Sequence, residues 1–314
     1  MKNSRRISLL GPAADFIQKE QIIMIEIKNL TKIYPRGKKK ALDAVTIGIP
    51  NGIFGLIGRN GAGKTTLMRI VATVMDQTDG VILVDGVDLK ECKHEFRKSL
   101  GYLPQSTKLM PRLNIVEFLD YICVMRGMKD KKERRERIAS VIETVGLVGE
   151  EKKQLGKYSG GMLRRAGIAQ AIIGDPKTLI IDEPTTGLDP EERIYFLNLL
   201  SRIAQDRTII FSTHITADIE LLCKNICILE LGGVKYLGDR ESFVSALEGR
   251  IFEHKGTPDD EAKLRQSTVV TSVSYVEGTA HVRYVADSPS LDGSEPTAPT
   301  LEDAYIHALG GVKR

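Results

Sequence analysis

The chain has 314 residues, 42% hydrophobic and 27% charged, the make-up of a folded globular protein with room for one large and one smaller domain. A net charge of +4 is too mild to imply a nucleic-acid partner, though it suits the anionic inner face of a membrane. The lack of Trp and the 5% aromatic content speak against a stacking platform for single strands. The cysteines, Cys92, Cys123, Cys223 and Cys227, show no C-x-x-C spacing and read as buried, reduced thiols. No stretch reads as a membrane span, because the most apolar window, "ALDAVTIGIPNGIFGLIG", is broken by Asp43, Pro50 and Asn51.

Residues 1–23 open with a basic segment whose apolar run is too short for a secretory signal, and they read as a disordered leader or an over-extended start. From residue 24 the segments "IEIKNLTKIY", "LDAVTIGI" and "IFGLIG" read as strands, with "PRGKKK" as a loop. Residues 58–66, "GRNGAGKTT", then place Gly58, Gly63, Lys64 and Thr65 at the spacing G-x-x-x-x-G-K-[ST]. Glycines there let the backbone curl so that its N–H groups form an anion-sized nest. "TTLMRIVATVM" has helical apolar spacing, so the loop feeds a helix N-terminus that favours phosphate. Lys64 is expected to reach the terminal phosphates and Thr65 to ligate Mg²⁺.

"GVILVDG" reads as a further strand. Residues 114–174 then change character, with three helical segments and no strand between them. From 178 strands and helices alternate again, which implies a mainly parallel core sheet. Past 248, "STVVTSVSYVEGTAHVRYV" reads as a hairpin turning near Gly278, "DSPSLDGSEPTAPT" as a polar loop, and "LEDAYIHALGG" as a short closing helix. The charge runs at 36–40 and 129–137 read as solvated faces.

"TLIIDEPTTGLDP" (178–190) sets two carboxylates at the end of an apolar strand, where α/β sheets present their ligands. Asp182 fits a Mg²⁺-organising acid and Glu183 a general base for the attacking water. "YSGGM" (158–162) puts Ser159, Gly160 and Gly161 at the start of a helix, a second anion site.

In order and spacing these motifs resemble the ATP-binding subunits of ABC transporters over residues 24–245, and "LEDAYIHALGG" resembles the ending of subunits that serve exporters of the ABC-2 type. The resemblance implies a P-loop NTPase α/β core with a mainly parallel sheet, an antiparallel β subdomain and an all-helical insertion at about 106–175. These make up an ATP-binding domain at 24–247, followed by a small α+β appendage at 248–314. It implies ATP and Mg²⁺ as ligands. Tyr34 of "KIYP" would stack on adenine, and Asn60, Gly61 and Thr66 would join the phosphate loop. Gln105 of "YLPQ" would meet the nucleotide and the Mg²⁺, Asp189 of "GLDP" would lie at the nucleotide, and His214 of "STH" would contact the γ-phosphate. In that family Ser159, Gly160 and Gly161 face the P-loop of a second subunit, so the chain should pair with itself or with a similar subunit. The expected partner is a separate transmembrane permease, with the chain peripheral at the cytoplasmic face of the membrane.

This chain departs from the family at Tyr158 and Met162, where Leu and Gln are usual. Met cannot donate the amide bonds of Gln, so phosphate binding there should rest on Ser159 and the backbone. The competing reading is a soluble ATPase of the same family acting on ribosomes or nucleic acid. Such proteins usually carry two ATPase units, a long coiled-coil insertion or a basic arm, none of which is visible here. A kinase or GTPase reading leaves "YSGGM" unexplained.

Overall fold

The computed structural model describes residues 23–35, 39–106 and 109–311, so the leader before Ile23 and most of the basic loop lie outside the described residues. β1 (Ile23–Ile33) and β2 (Lys40–Pro50) run antiparallel and precede β3 (Gly52–Ile57), which leads into helix α1 (Lys64–Val71). β4 (Asp79–Val84) and β5 (Val87–Asp88) return beside β1, closing an antiparallel sheet of order β2-β1-β4-β5. α2 (Leu89–Lys98) and β6 (Leu100–Leu103) follow. The helical insertion comes next, as α3 (Ile115–Met125), α4 (Lys131–Thr144), a short turn at Leu155–Lys157 and α5 (Gly160–Ile172). Local sequence starts these helices: Asn114 and Glu117 form a reciprocal capping box on α3, and Asp130 caps α4.

β7 (Thr178–Asp182), α6 (Pro190–Ile203), β8 (Thr208–Thr213), α7 (Thr216–Leu222), β9 (Asn225–Glu230) and β10 (Gly233–Asp239) complete a six-stranded sheet of order β10-β9-β3-β8-β7-β6. All its pairings are parallel except β9 with β10. Both faces are covered, so β7 and β8 are buried along their whole length. Alternate residues feed two cores. Ile180, Ile210, Cys227 and Leu229 pack toward α1, α2 and the antiparallel sheet. Leu179, Ile181, Ile209, Phe211, Ile226 and Ile228 pack toward the helical insertion and α6. The parallel strands therefore end on one edge, in the order β3, β8, β7, β6, and the candidate site forms there.

After α8 (Arg240–Ser245), β11 (Ile251–Gly256), α9 (Pro258–Ser267), β12 (Val269–Val276), β13 (Thr279–Val285) and β14 (Glu295–Pro296) build a third sheet of order β12-β13-β11-β14. Glu277 and Gly278 both hold positive φ between β12 and β13, the two-residue turn that matches strand twist. Phe252, Leu264, Val282 and Tyr284 form a small core of its own. α10 (Leu301–Ala308) inserts Leu301, Ala304 and Tyr305 into the main core beside Phe243 and Leu247.

The structure corrects several expectations. α1 stops at Val71 instead of running to Met75, because Thr73 turns left-handed at φ +58°. Arg97 of α2 holds that turn through Thr73 Oγ1 at 2.7 Å and its carbonyl at 2.9 Å. α2, β6, α8, β11 and α9 are elements the sequence pattern did not announce. α2 buries only Leu89 and Phe96, and α9 only Glu261 and Leu264, too few apolar positions to show a helical period. Cys92 is half-buried rather than buried, and all four thiols are free.

Candidate active site

β3 ends at Ile57 and the backbone turns through Gly58 to Gly63 into α1. Gly63 sits at φ +110°, and a Cβ there would lie 2.6 Å from the Ala41 carbonyl oxygen. At Gly58 a Cβ would come 2.5 Å from the Leu229 carbonyl oxygen. The first helical bond runs from Leu67 N–H to the Gly63 carbonyl at 2.9 Å, which leaves the amides of Lys64, Thr65 and Thr66 ahead of the ladder. They open on a cleft lined by Tyr34, Asn60, Gly61, Gly63, Lys64, Thr65, Thr66, Gln105 and Glu183. Lys39, Ala41, Arg59 and Ala62 complete its wall.

Lys64 curls back into its own loop. Its Nζ donates to the Gly58 carbonyl at 2.6 Å and lies 3.0 Å from Glu183 Oε1. Glu183 follows β7 in the left-handed region at φ +45°, a conformation that needs support in a non-glycine residue. Its N–H donates to the Ser212 carbonyl and hydroxyl oxygens, each at 3.1 Å. The second carboxylate oxygen lies 3.1 Å from His214 Nδ1 and accepts the Thr186 hydroxyl at 3.3 Å. Burial by itself would raise the Glu183 carboxyl, but the hydrogen bond and charge of Lys64, with His214, outweigh it and hold it below its ordinary value.

Asp182 is fully buried. Its Oδ1 accepts the Ser212 hydroxyl at 2.6 Å, while Oδ2 has no hydrogen-bond partner among the described residues. Burial, and then the charge of Asp182, pushes the Tyr102 phenol up to about 12. A buried carboxylate oxygen without a donor suits a hard cation, and the Thr65 hydroxyl and the Gln105 side-chain oxygen are of the same oxygen type. Among the described residues no group of three His, Cys, Asp or Glu could hold a metal by itself. A cation here would share its coordination with phosphate and water, as Mg²⁺ does.

Tyr34 Oη lies 3.2 Å from Thr66 Oγ1 and donates to Met75 Sδ at 3.5 Å, which fixes the phenol against α1. The remaining expected residues lie apart from this cleft. Ser159 is the N-cap of α5 and accepts the Met162 N–H at 3.2 Å. Gly160 is open to solvent, while Gly161 is buried against the Glu192 carboxylate. Tyr158 and Met162, the two departures, are buried in the main core, so they serve packing. Asp189 is exposed at the N-cap of α6 and makes no capping bond. Ser212, which bridges Asp182 and Glu183, and Thr186, which donates to Glu183, belong to the site in addition to the residues expected above. Ser212 stands two residues before His214, and only the pairing of β7 with β8, Asp182 opposite Ser212, brings it to both acids, so no sequence signal marks it.

The fold and the cleft define a P-loop nucleoside triphosphatase. The family model described as ABC transporter matches residues 42–186. An uncharacterised ABC transporter ATP-binding protein of Synechocystis is 33% identical over 309 residues, spanning 92% of this chain and 85% of that protein. The linearmycin resistance ATP-binding protein LnrL of Bacillus subtilis is 32% identical over 228 residues, 72% of each chain. The solved structure of cbiO1 from Clostridium perfringens, part of the ABC transporter complex cbiONQ, superposes with a TM-score of 0.65 at 26% identity, over 71% of this chain and 92% of that one. This chain belongs to the ABC transporter ATP-binding proteins and is an ATPase.

Proposed function

We propose that the chain is the ATP-hydrolysing subunit of a membrane exporter whose spanning part is a separate polypeptide. The observation that carries the catalytic part is the Glu183 carboxylate, buried between Lys64 and His214 at the mouth of the phosphate loop. Lys64 and the amides of α1 hold the β- and γ-phosphates, and Tyr34 supports the adenine. Thr65, Gln105 and Asp182 would hold Mg²⁺. Bound there, the ion would neutralise phosphate charge. Glu183 takes the proton of the attacking water, and His214 orients the carboxylate and the γ-phosphate.

Lys64 has two competing anions within reach, Glu183 and the phosphates. When a nucleotide draws the Lys64 ammonium to its phosphates, Glu183 loses the partner that lowers its pKa, and its basicity rises. Binding and base activation are thus linked through one cation.

Ser159, Gly160 and Gly161 lie outside this cleft, which supports a paired assembly in which they complete the site of a second subunit. Among the described residues no helix is long and apolar enough to cross a membrane. The transporter reading draws support from cbiO1, part of a transporter complex, and the exporter reading from LnrL, named for linearmycin resistance. It places the chain peripherally at the cytoplasmic face. The division between an ATP-binding domain to 247 and an accessory domain from 248 belongs to the same reading, supported by the separate small core of the third sheet.

Glu183→Gln tests the base. It keeps the shape and removes the charge, so ATP should still bind while turnover falls roughly 10²-fold or more, a barrier rise of about 2.7 kcal/mol. Wild-type turnover in this variant would mean that another group activates the water.

A further inference from the structure

Asp218 lies in the first turn of α7, outside the nucleotide cleft, and is fully buried. One carboxylate oxygen accepts the Thr185 hydroxyl at 2.6 Å and the Thr213 hydroxyl at 3.4 Å. The other accepts Arg193 Nε at 2.6 Å. Each partner belongs to a different functional segment. Thr185 follows Glu183 by two residues, Thr213 directly precedes His214, and Arg193 lies in the first turn of α6, just after the loop that carries Asp189. Thr185 and Thr213 are themselves buried, so their hydroxyls have no water to turn to.

We infer that Asp218 is a positioning residue that sets the distance between Glu183 and His214, an inference resting on the roles proposed for those two residues. Glu183 stands at φ +45°, and such a backbone persists only where its neighbours over-determine it. On the β8 side Ser212 takes the Glu183 N–H. On the other side Thr185 is pinned to Asp218, so the turn is held at both ends. The same carboxylate reaches Thr213, whose Oγ1 also accepts the Ile215 N–H at 3.0 Å, and so brackets His214. Because Arg193 pairs with the opposite oxygen, a shift of the first turn of α6 is transmitted to the same carboxylate. Asp218 does not line the nucleotide cleft, so its loss should move kcat and leave nucleotide affinity alone.

The test compares Thr185→Val, which removes the hydroxyl at nearly constant shape, with Thr185→Ser, which keeps it, and with Asp218→Asn, all in the full chain. Steady-state ATPase kinetics, nucleotide affinity by calorimetry and thermal transitions are read for each. Thr185→Val and Asp218→Asn are expected to lower kcat roughly tenfold with KM and affinity within about twofold, as misplacement of a catalytic group does, and Thr185→Ser to restore kcat. Wild-type kcat in Thr185→Val overturns the inference, as does a loss that Thr185→Ser fails to restore. If Asp218→Asn does not fold, the two Thr185 variants decide the matter. Glu183→Gln, run alongside, separates the underlying reading. Silent Glu183→Gln with unimpaired Thr185→Val sinks the positioning claim alone. Active Glu183→Gln removes the base assignment, and the positioning claim with it.

Discussion

The Lys64 ammonium and the Glu183 carboxylate lie 3.0 Å apart, at 4% and 5% side-chain exposure, so the residue expected to bind phosphate is held by the residue expected to activate water. Removing Lys64 therefore does two things. Nucleotide affinity should fall sharply, because the charge over the β- and γ-phosphates is gone. Glu183 is also left buried without its counter-charge, at a stability cost on the order of 3 kcal/mol. The pH dependence tells these apart. In the wild type the carboxyl is depressed below its ordinary 4.5, so its stabilisation is present above that value and is lost as pH falls through the lower folded value. In Lys64→Ala only His214 is left to oppose burial, so the carboxyl rises from its wild-type value, and the penalty is greatest at neutral pH and eases on acidification. The gap in Tm between wild type and Lys64→Ala should narrow from about pH 7 to about pH 4. A constant gap would contradict the pairing, and unchanged ATP binding by calorimetry would contradict the loop assignment.

His214→Ala should slow turnover by up to roughly 10²-fold, the range for losing an orienting group near a reacting atom. The ring is 40% exposed and contacts Glu183, so neither ATP affinity nor Tm should shift much. Calorimetry on this variant beside kcat and KM measures the split, and a loss of affinity equal to the loss of kcat would place His214 in binding.

Gly63 and Gly61 make a matched pair. Both hold positive φ, but a Cβ at Gly63 meets the Ala41 carbonyl at 2.6 Å, whereas one at Gly61 meets nothing within 4 Å. Gly61→Ala should cost only the strain of a left-handed L-residue, roughly 1–2 kcal/mol. Gly63→Ala should displace the loop from β2 and abolish tight nucleotide binding. Equal affinities for the two variants would show that the loop adapts freely.

Assembly gives the last test. If Ser159 and the glycines after it complete a neighbour's site, Glu183→Gln with ATP and Mg²⁺ should dimerise, and light scattering should follow the change. A persistent monomer under those conditions contradicts self-pairing and points to a heterodimer.

Local motifs were legible wherever one short stretch contains its own physics. The glycine spacing of 58–63, the apolar run before Asp182, the capped helices of the insertion and the turn at Gly278 all follow from neighbouring residues. α2 was invisible for the complementary reason, since its polar surface leaves only Leu89 and Phe96 to report a period. The premature end of α1 was invisible too, because Arg97, a residue of that unseen helix, holds it.

The sequence by itself determined the type of chemistry: a lysine in a glycine loop, a carboxylate at a strand end and a histidine at the next. Their residue types and order need no fold to be recognised. The tertiary structure decided who touches whom. β7 and β8 pair in parallel with Asp182 opposite Ser212, and that register bonds Ser212 to the acid. β3 pairs with β8, and Lys64 reaches Glu183 across the end of the sheet. Asp218 gathers Thr185, Thr213 and Arg193 only because α6 and α7 pack side by side. Such contacts depend on strand register and helix packing summed over the whole core, and no local pattern encodes them.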